Sequence, residues 1–500
     1  MIGIDAMSLP FVEANRDRLP VFSGLLQEGT LRALSTPGEH ASASVWQTFA
    51  AGADPGVHGQ YYPLQWDPRR MIFERPARGE FGARLSFDPF WRRLAREGVE
   101  TIAFDISLPL NAGAAPCTEI FNWSCQSSGA ARASDPALLR ELRRRFGARP
   151  IGKEVPLPKR AAHTRRIRDQ MIDAIARKAE AMLWMMDRSP WRLFVTGFYE
   201  IHRAGHNLLE VDGDFASEVD PEALFDVYKA QDAALGRVID AAKDGRTTIA
   251  VFALHGMASN AAQDHFVDKI LARLNSVWLV ETGRSSQKSS ASPNLMKRMR
   301  QLAPYRLQHA LAHLLGEDVQ DWVVGQTLIA GKDWRRTPSF PVATSGEGLI
   351  RLNIKGRERD GFFDADGQEL ERYKTWLKAR LLEIRVAGDG GPLVREVVFA
   401  EDRFPGPRCA YLPDVMLIFA PSAPAETITS PAIGEISARL RTGRGGNHTG
   451  QAFCLLTGHG ARDGIAAKIS DIKDLAALAA AMTSAEQGCA PDKAAVVEFA

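Results

Sequence analysis

Short apolar runs that close on a polar or acidic residue alternate with stretches of helical apolar spacing along most of the chain. Residues 1–4 form the first run, and Asp5 closes it. The same pattern predicts strands at 31–34, 100–104, 192–199 and 247–253. Helical spacing falls at 11–26 with a break near Pro20, then at 90–96, 137–146, 165–187 and 223–242. Strands alternating with helices predict an α/β fold: a doubly wound, mostly parallel sheet with helices on both faces. Asp5, Asp105, Glu200, His202, His206 and His255 all stand just after predicted strands. That edge is where open α/β sheets bind ligands.

One further helix starts from the stretch His40-Ala-Ser-Ala-Ser-Val-Trp46. A polar loop ends at Ser42, Val45, Trp46, Phe49 and Ala50 follow at helical spacing, and a Gly/Asp/Pro turn stops the run. Free backbone N–H groups at such a helix start favour an anion. Read alone, Ser42 is a helix cap.

The periodicity lapses at 60–86 and again at 109–160, which read as two excursions from the core. From 259 to 341 the pattern is largely helical, and strand-like runs follow at 348–354, 394–400 and 415–419, with a helix at 370–382. Residues 260–410 are therefore expected to form a smaller α+β subdomain or insertion. The core would be 1–259 and 411–500, with a loop at 442–451, a strand at 452–456 and a helix near 475–482.

Composition narrows the function classes. The 500 residues carry 62 Lys and Arg against 60 Asp and Glu, a balance that calls for no nucleic-acid polymer. No apolar run is long enough to cross a bilayer, so no membrane partner is expected and the compartment is read as cytoplasmic. The cysteines at 117, 125, 409, 454 and 489 have neither metal-ligand spacing nor the density of a disulfide framework.

The chemistry lies in four clusters: Asp5; Glu200-Ile-His202-Arg-Ala-Gly-His206; Leu254-His255-Gly-Met257; and Gly443-Arg-Gly-Gly-Asn-His448. If the segment after 199 turns helically, the four-residue spacing puts His202 and His206 on one side, as a divalent metal wants. Any one of these histidines alone is an ordinary polar loop residue. Their joint placement at one sheet edge is not.

This layout resembles the alkaline phosphatase superfamily, and most closely its type I phosphodiesterase/nucleotide pyrophosphatase branch. In that branch an Asp ends the first strand and a Ser or Thr nucleophile heads the next helix. A T/A-G-x-x-P-x-x-H-G stretch follows, matched here by Ala51-Gly-Ala-Asp-Pro-Gly-Val-His58-Gly59. A D-x-x-x-H element, a D-H-G element and a late G-x-H come next in the family, and the matches here cover about 1–60, 190–260 and 410–460. The resemblance implies a phosphoric ester hydrolase with a small-molecule substrate and two metal sites, zinc first and manganese second as candidate ions. His202, His206 and His448 would form one site; Asp5, His255 and the oxygen of Ser42 the other. Ser42 would attack phosphorus to give a phosphoseryl intermediate, which water then hydrolyses.

Two positions depart from the family pattern. His202 stands where the family has a carboxylate, and three imidazoles still make a good zinc set. Leu254 stands where the family has the Asp of D-H-G, and it supplies no ligand. The second site is thereby weakened, leaving one or two ions open. Along a strand, residues 200 and 202 share a face, so Glu200 is a candidate substitute ligand or a group that orients His202. A surface or capping carboxylate is the alternative. The competing readings of the whole are a non-catalytic or single-metal anion-binding protein, favoured by Leu254, and a phosphomutase. A sulfatase is disfavoured because no C/S-x-P-x-R motif follows Ser42. His58 reads as a loop-bracing residue, Asp105 as a loop cap, and 355–360 as a hairpin-like turn or an anion contact. His309 and His313 read as surface residues of an amphipathic helix.

Overall fold

The computed structural model describes residues 1–76, 79–113, 116–125, 129–152, 158–210, 217–284, 317–344, 346–461 and 468–484. An eight-stranded sheet lies at its centre, in the spatial order Thr30–Leu34, Ala452–Gly458, Thr248–Ala253, Ile2–Ile4, Leu193–Phe198, Thr101–Ile106, Thr118–Phe121, Arg132–Ala133. From Thr248–Ala253 to Thr118–Phe121 every neighbouring pair is parallel. Ala452–Gly458 runs antiparallel to both of its neighbours, and Arg132–Ala133 is an antiparallel edge. Leu193–Phe198 and Thr101–Ile106 are buried along their whole length, as the central strands of a covered parallel sheet must be. One group of helices, Ala161–Arg188, Ala223–Ala242 and Pro20–Glu28, packs together against the sheet; Val45–Ala51, Phe90–Arg96 and Asp474–Ser484 form another. The doubly wound, mostly parallel sheet expected from the alternation is present.

A second core lies beside it. Ser339–Pro341, Gly348–Leu352, Val415–Phe419 and Val394–Phe399 form an antiparallel sheet in that order. The helices Val267–Glu281 and Gln368–Leu382 share its apolar cluster. The expected boundary at 410/411 is therefore too early. Val415 and Leu417 are buried in this second core, and Thr427–Ser430 with Gly434–Ser437 joins it through Ile428 and Ile436. The chain comes back by way of Gly446–Thr449, which pairs with Gly256–Ser259, and then enters the main sheet at Ala452.

The excursions hold more order than their irregular patterning suggests. Residues 60–86 contain the hairpin Gln65–Asp67/Ile72–Glu74 and the helix Gly79–Leu85. Residues 109–160 contribute Thr118–Phe121 to the main sheet, a strand too short to show a period. The expected loop at 442–451 contains the strand Gly446–Thr449. His309 and His313, and part of the predicted helical stretch before 341, lie outside the described residues.

Candidate active site

Three adjacent parallel strands, Thr248–Ala253, Ile2–Ile4 and Leu193–Phe198, end at one edge, where the chain leaves them through His255, Asp5 and the helix Glu200–Leu208. That helix brings His202 and His206 onto one side, four residues apart. His448 arrives on the returning strand, paired with Met257 just beyond His255. The close approach of this strand demands glycine: a Cβ at Gly446 would stand 2.4 Å from the carbonyl oxygen of Gly205. Ser42 sits in the 3-10 turn Ser42–Ser44 that leads into Val45–Ala51, and it is almost fully buried. Trp46, one turn on, lies over Gly3 and Gly197, where any Cβ would strike its ring. This posture lets its indole N–H donate to Asp5 Oδ1 at 2.9 Å.

Three imidazoles converge. His202 Nε2 is 3.0 Å from His206 Nε2 and 2.8 Å from His448 Nε2. Their other nitrogens are engaged: His206 Nδ1 faces the carbonyl of Gly446 at 2.9 Å, His202 Nδ1 faces Asp5 Oδ2 at 2.5 Å, and His448 Nδ1 faces Ser42 Oγ at 2.6 Å. A carbonyl and a carboxylate only accept, so the protons of His206 and His202 reside on Nδ1. Their Nε2 lone pairs then point at one another, an arrangement that a shared cation would relieve. Burial first, then the positive charge of Arg444 and the other imidazoles, pushes His206 well below the ordinary histidine range. Burial, then His255 and His202, does the same to His448. Neutral imidazoles are what a metal needs.

Asp5, His202 and His255 form a second convergent group. Burial would raise the Asp5 carboxyl, but His202 and His255 reverse this and hold it well below the usual carboxylate range. His255 Nε2 lies 3.3 Å from Asp5 Oδ1. Burial lowers its basicity, and the hydrogen bond and charge of Asp5 overcome that, leaving a net upward shift. His202 belongs to both groups. Leu254 is buried among apolar residues, and its backbone carbonyl accepts from Thr36 Oγ1 at 2.6 Å.

Glu200 opens a helix rather than continuing the strand, so the shared-face argument does not apply to it. Its buried carboxylate accepts from the Tyr199 N–H at 2.9 Å and from Ser124 Oγ at 3.2 Å, and it belongs to neither histidine group. Asp105 caps the loop at Trp123 and Ser124 and pairs with the buried Lys178. His58 braces its turn, bonded to Thr48 Oγ1 and to the Gln60 N–H, each at 3.1 Å. In the turn at 355–360, Arg357 is paired with its neighbour Glu358 and with Asp414 from outside the turn.

Sequence reading missed Glu347. It arrives from the second core, just ahead of Gly348–Leu352 and 305 residues from Ser42. Its Oε1 accepts from both the backbone N–H and the hydroxyl of Ser42. No local pattern marks a residue brought in by packing between two cores. A cavity of about 1120 Å³ opens beside it, lined by Glu347, His448, Asn447, Arg444, Leu417 and Phe419 among others.

The profile of the type I phosphodiesterase / nucleotide pyrophosphatase family matches residues 1–419. The chain belongs to that family. Its members are hydrolases acting on phosphoric ester bonds, and so is this protein. Among solved structures it is similar to phosphonoacetate hydrolase from Sinorhizobium meliloti 1021 in complex with phosphonoformate, at 13% identity and a TM-score of 0.49, covering 96% of this chain and 95% of that one. It is also similar to murine ectonucleotide pyrophosphatase/phosphodiesterase 5, at 12% identity and a TM-score of 0.45, covering 97% and 94%. No match was found among curated protein sequences. No helix among the described residues is long and apolar enough to cross a membrane.

Proposed function

We propose that the protein hydrolyses small phosphodiesters or nucleotide-type esters, with Ser42 as nucleophile and one zinc-class cation held by His202, His206 and His448. One observation carries this reading. The His448 imidazole faces Ser42 Oγ through Nδ1 at 2.6 Å and His202 Nε2 through its own Nε2 at 2.8 Å, so a single ring joins nucleophile and metal set. The cation, when bound, would supply Lewis-acid stabilisation of charge on the phosphoryl oxygens.

The rest is the work of side chains. His448 holds Ser42 Oγ in place, and Asp5 fixes the His202 ring through Nδ1. Ser42 Oγ attacks phosphorus, the ester oxygen departs, and water then hydrolyses the phosphoserine, releasing the phosphate product and restoring Ser42. Diesters rank above monoesters because the family is one of diesterases and pyrophosphatases, and the adjoining cavity has room for an organic ester group. A single ion is favoured because His202 is common to both candidate groups and Leu254 brings no carboxylate. Among the described residues the cysteines at 117, 125, 409 and 454 form no disulfide, which fits the reducing cytoplasm we propose as its compartment.

Metal analysis of the purified protein, with turnover of an aryl phosphodiester, tests this reading. Tightly held zinc or manganese and measurable turnover are expected, and Ser42→Ala should abolish turnover with metal content near normal. Protein that binds no metal and stays inactive after metal is added would overturn it, leaving the anion-binding alternative.

A further inference from the structure

We propose that Glu347 is the proton acceptor for Ser42, a carboxylate lent to the nucleophile by the second core. The inference rests on Ser42 being the nucleophile and adds how its hydroxyl is activated. Leu254 removes the carboxylate that, by family resemblance, would complete a second cation site against Ser42. The negative charge beside Ser42 comes instead from Glu347.

The carboxylate is aimed. Thr344 Oγ1 donates to Glu347 Oε2 at 2.5 Å, and the Glu347 N–H donates back to Thr344 Oγ1 at 3.0 Å. With Oε2 held, Oε1 faces Ser42 and accepts from its backbone N–H at 3.2 Å and from its hydroxyl. Proton bookkeeping then has one solution compatible with metal binding. His448 must keep its Nε2 lone pair for the histidine cluster, so its proton is on Nδ1 and it donates to Ser42 Oγ. The hydroxyl hydrogen of Ser42 is left to point at Glu347.

The step balances. As the Oγ–P bond forms, the Ser42 O–H bond breaks and its proton moves to Glu347 Oε1, while the leaving ester oxygen takes a proton from solvent. In the second half, water adds to phosphorus and gives its proton to solvent. The P–Oγ bond then breaks, and Glu347 returns its proton to Ser42. The competing role for a carboxylate on the Ser42 N–H is a plug that mimics the substrate anion and must be displaced.

Glu347→Gln separates these roles, since it keeps the shape and removes the charge. As a base, its loss should lower kcat by about 100-fold or more with little change in KM. In a single turnover followed by mass spectrometry, phosphate should appear on the Ser42 peptide correspondingly slowly, with metal content unchanged. Thr344→Val, which frees Oε2, should lower kcat by a smaller factor and leave KM unchanged. A Glu347→Gln variant with undiminished kcat, or with tighter inhibition by inorganic phosphate and faster turnover, would overturn the assignment and identify a plug. Turnover by the otherwise unaltered protein, abolished by Ser42→Ala, keeps the parent reading standing in that case; its absence would sink the parent reading and this one together.

Discussion

His448 Nδ1 lies 2.6 Å from Ser42 Oγ across 406 residues of chain. The contact depends on two unrelated events: a 3-10 turn near the N-terminus that buries Ser42, and the strand Gly446–Thr449 folding back along Gly256–Ser259. Neither half is informative alone. Together they place a nucleophile against a residue of the histidine cluster, and disturbing either half should disconnect the two.

Gly446→Ala is the cleanest such disturbance. Its Cβ would stand 2.4 Å from the backbone carbonyl oxygen of Gly205, which cannot swing away as a side chain could. The strand carrying His448 must shift, and overpacking of this kind costs about 1–3 kcal/mol. We expect metal affinity, measured by competition with a chromophoric chelator, to fall at least tenfold although no ligand has changed.

Trp46→Phe removes the indole N–H that donates to Asp5 Oδ1. Asp5 orients His202, so the loss is felt one step from the histidine cluster. Removing such an outer partner costs about 10- to 100-fold in metal affinity. Metal titration should show a fall within that range, and an unchanged affinity would mean that Asp5 needs no help from Trp46.

Leu254→Asp would place a carboxylate where the chain now buries an apolar side chain. Without a cation it lowers stability, since an unpaired buried charge costs several kcal/mol. The variant should therefore melt below the unaltered protein in chelator and recover when zinc or manganese is added. Calorimetry should also register a second equivalent of metal.

His58 gives a pH dependence away from the cluster. Burial, with a smaller effect from Arg408, pushes it down from 6.5 to about 3. The folded protein keeps it neutral while the unfolded chain protonates it below about 6.5, so the unfolded state binds the extra proton across that window. Stability should fall as pH falls from about 6.5 towards 3, with a contribution from this residue of at most about 1.4 kcal/mol per pH unit. His58→Gln should show a shallower acid limb in denaturant melts; identical slopes would remove His58 as the cause.

The amino-acid order alone carries the alternation of strand and helix, and with it the α/β sheet. Apolar periodicity is local, and each element shows it without help from the others. It also determined that Asp5, His202, His206 and His255 share one edge, because each follows a strand of a parallel sheet. The late His448 was found through the order of motifs in the family resemblance. Elements too short to show a period were lost, such as Thr118–Phe121 and the returning strand Gly446–Thr449. The boundary near 410 was misplaced for a related reason: an apolar run such as Val415–Phe419 shows that it is buried, not in which core. The inward turn of Glu200 at a helix start, and the reach of Glu347 to Ser42 from the second core, come from three-dimensional packing alone. Contacts across hundreds of residues depend on how two cores pack, and no pattern along the chain records that.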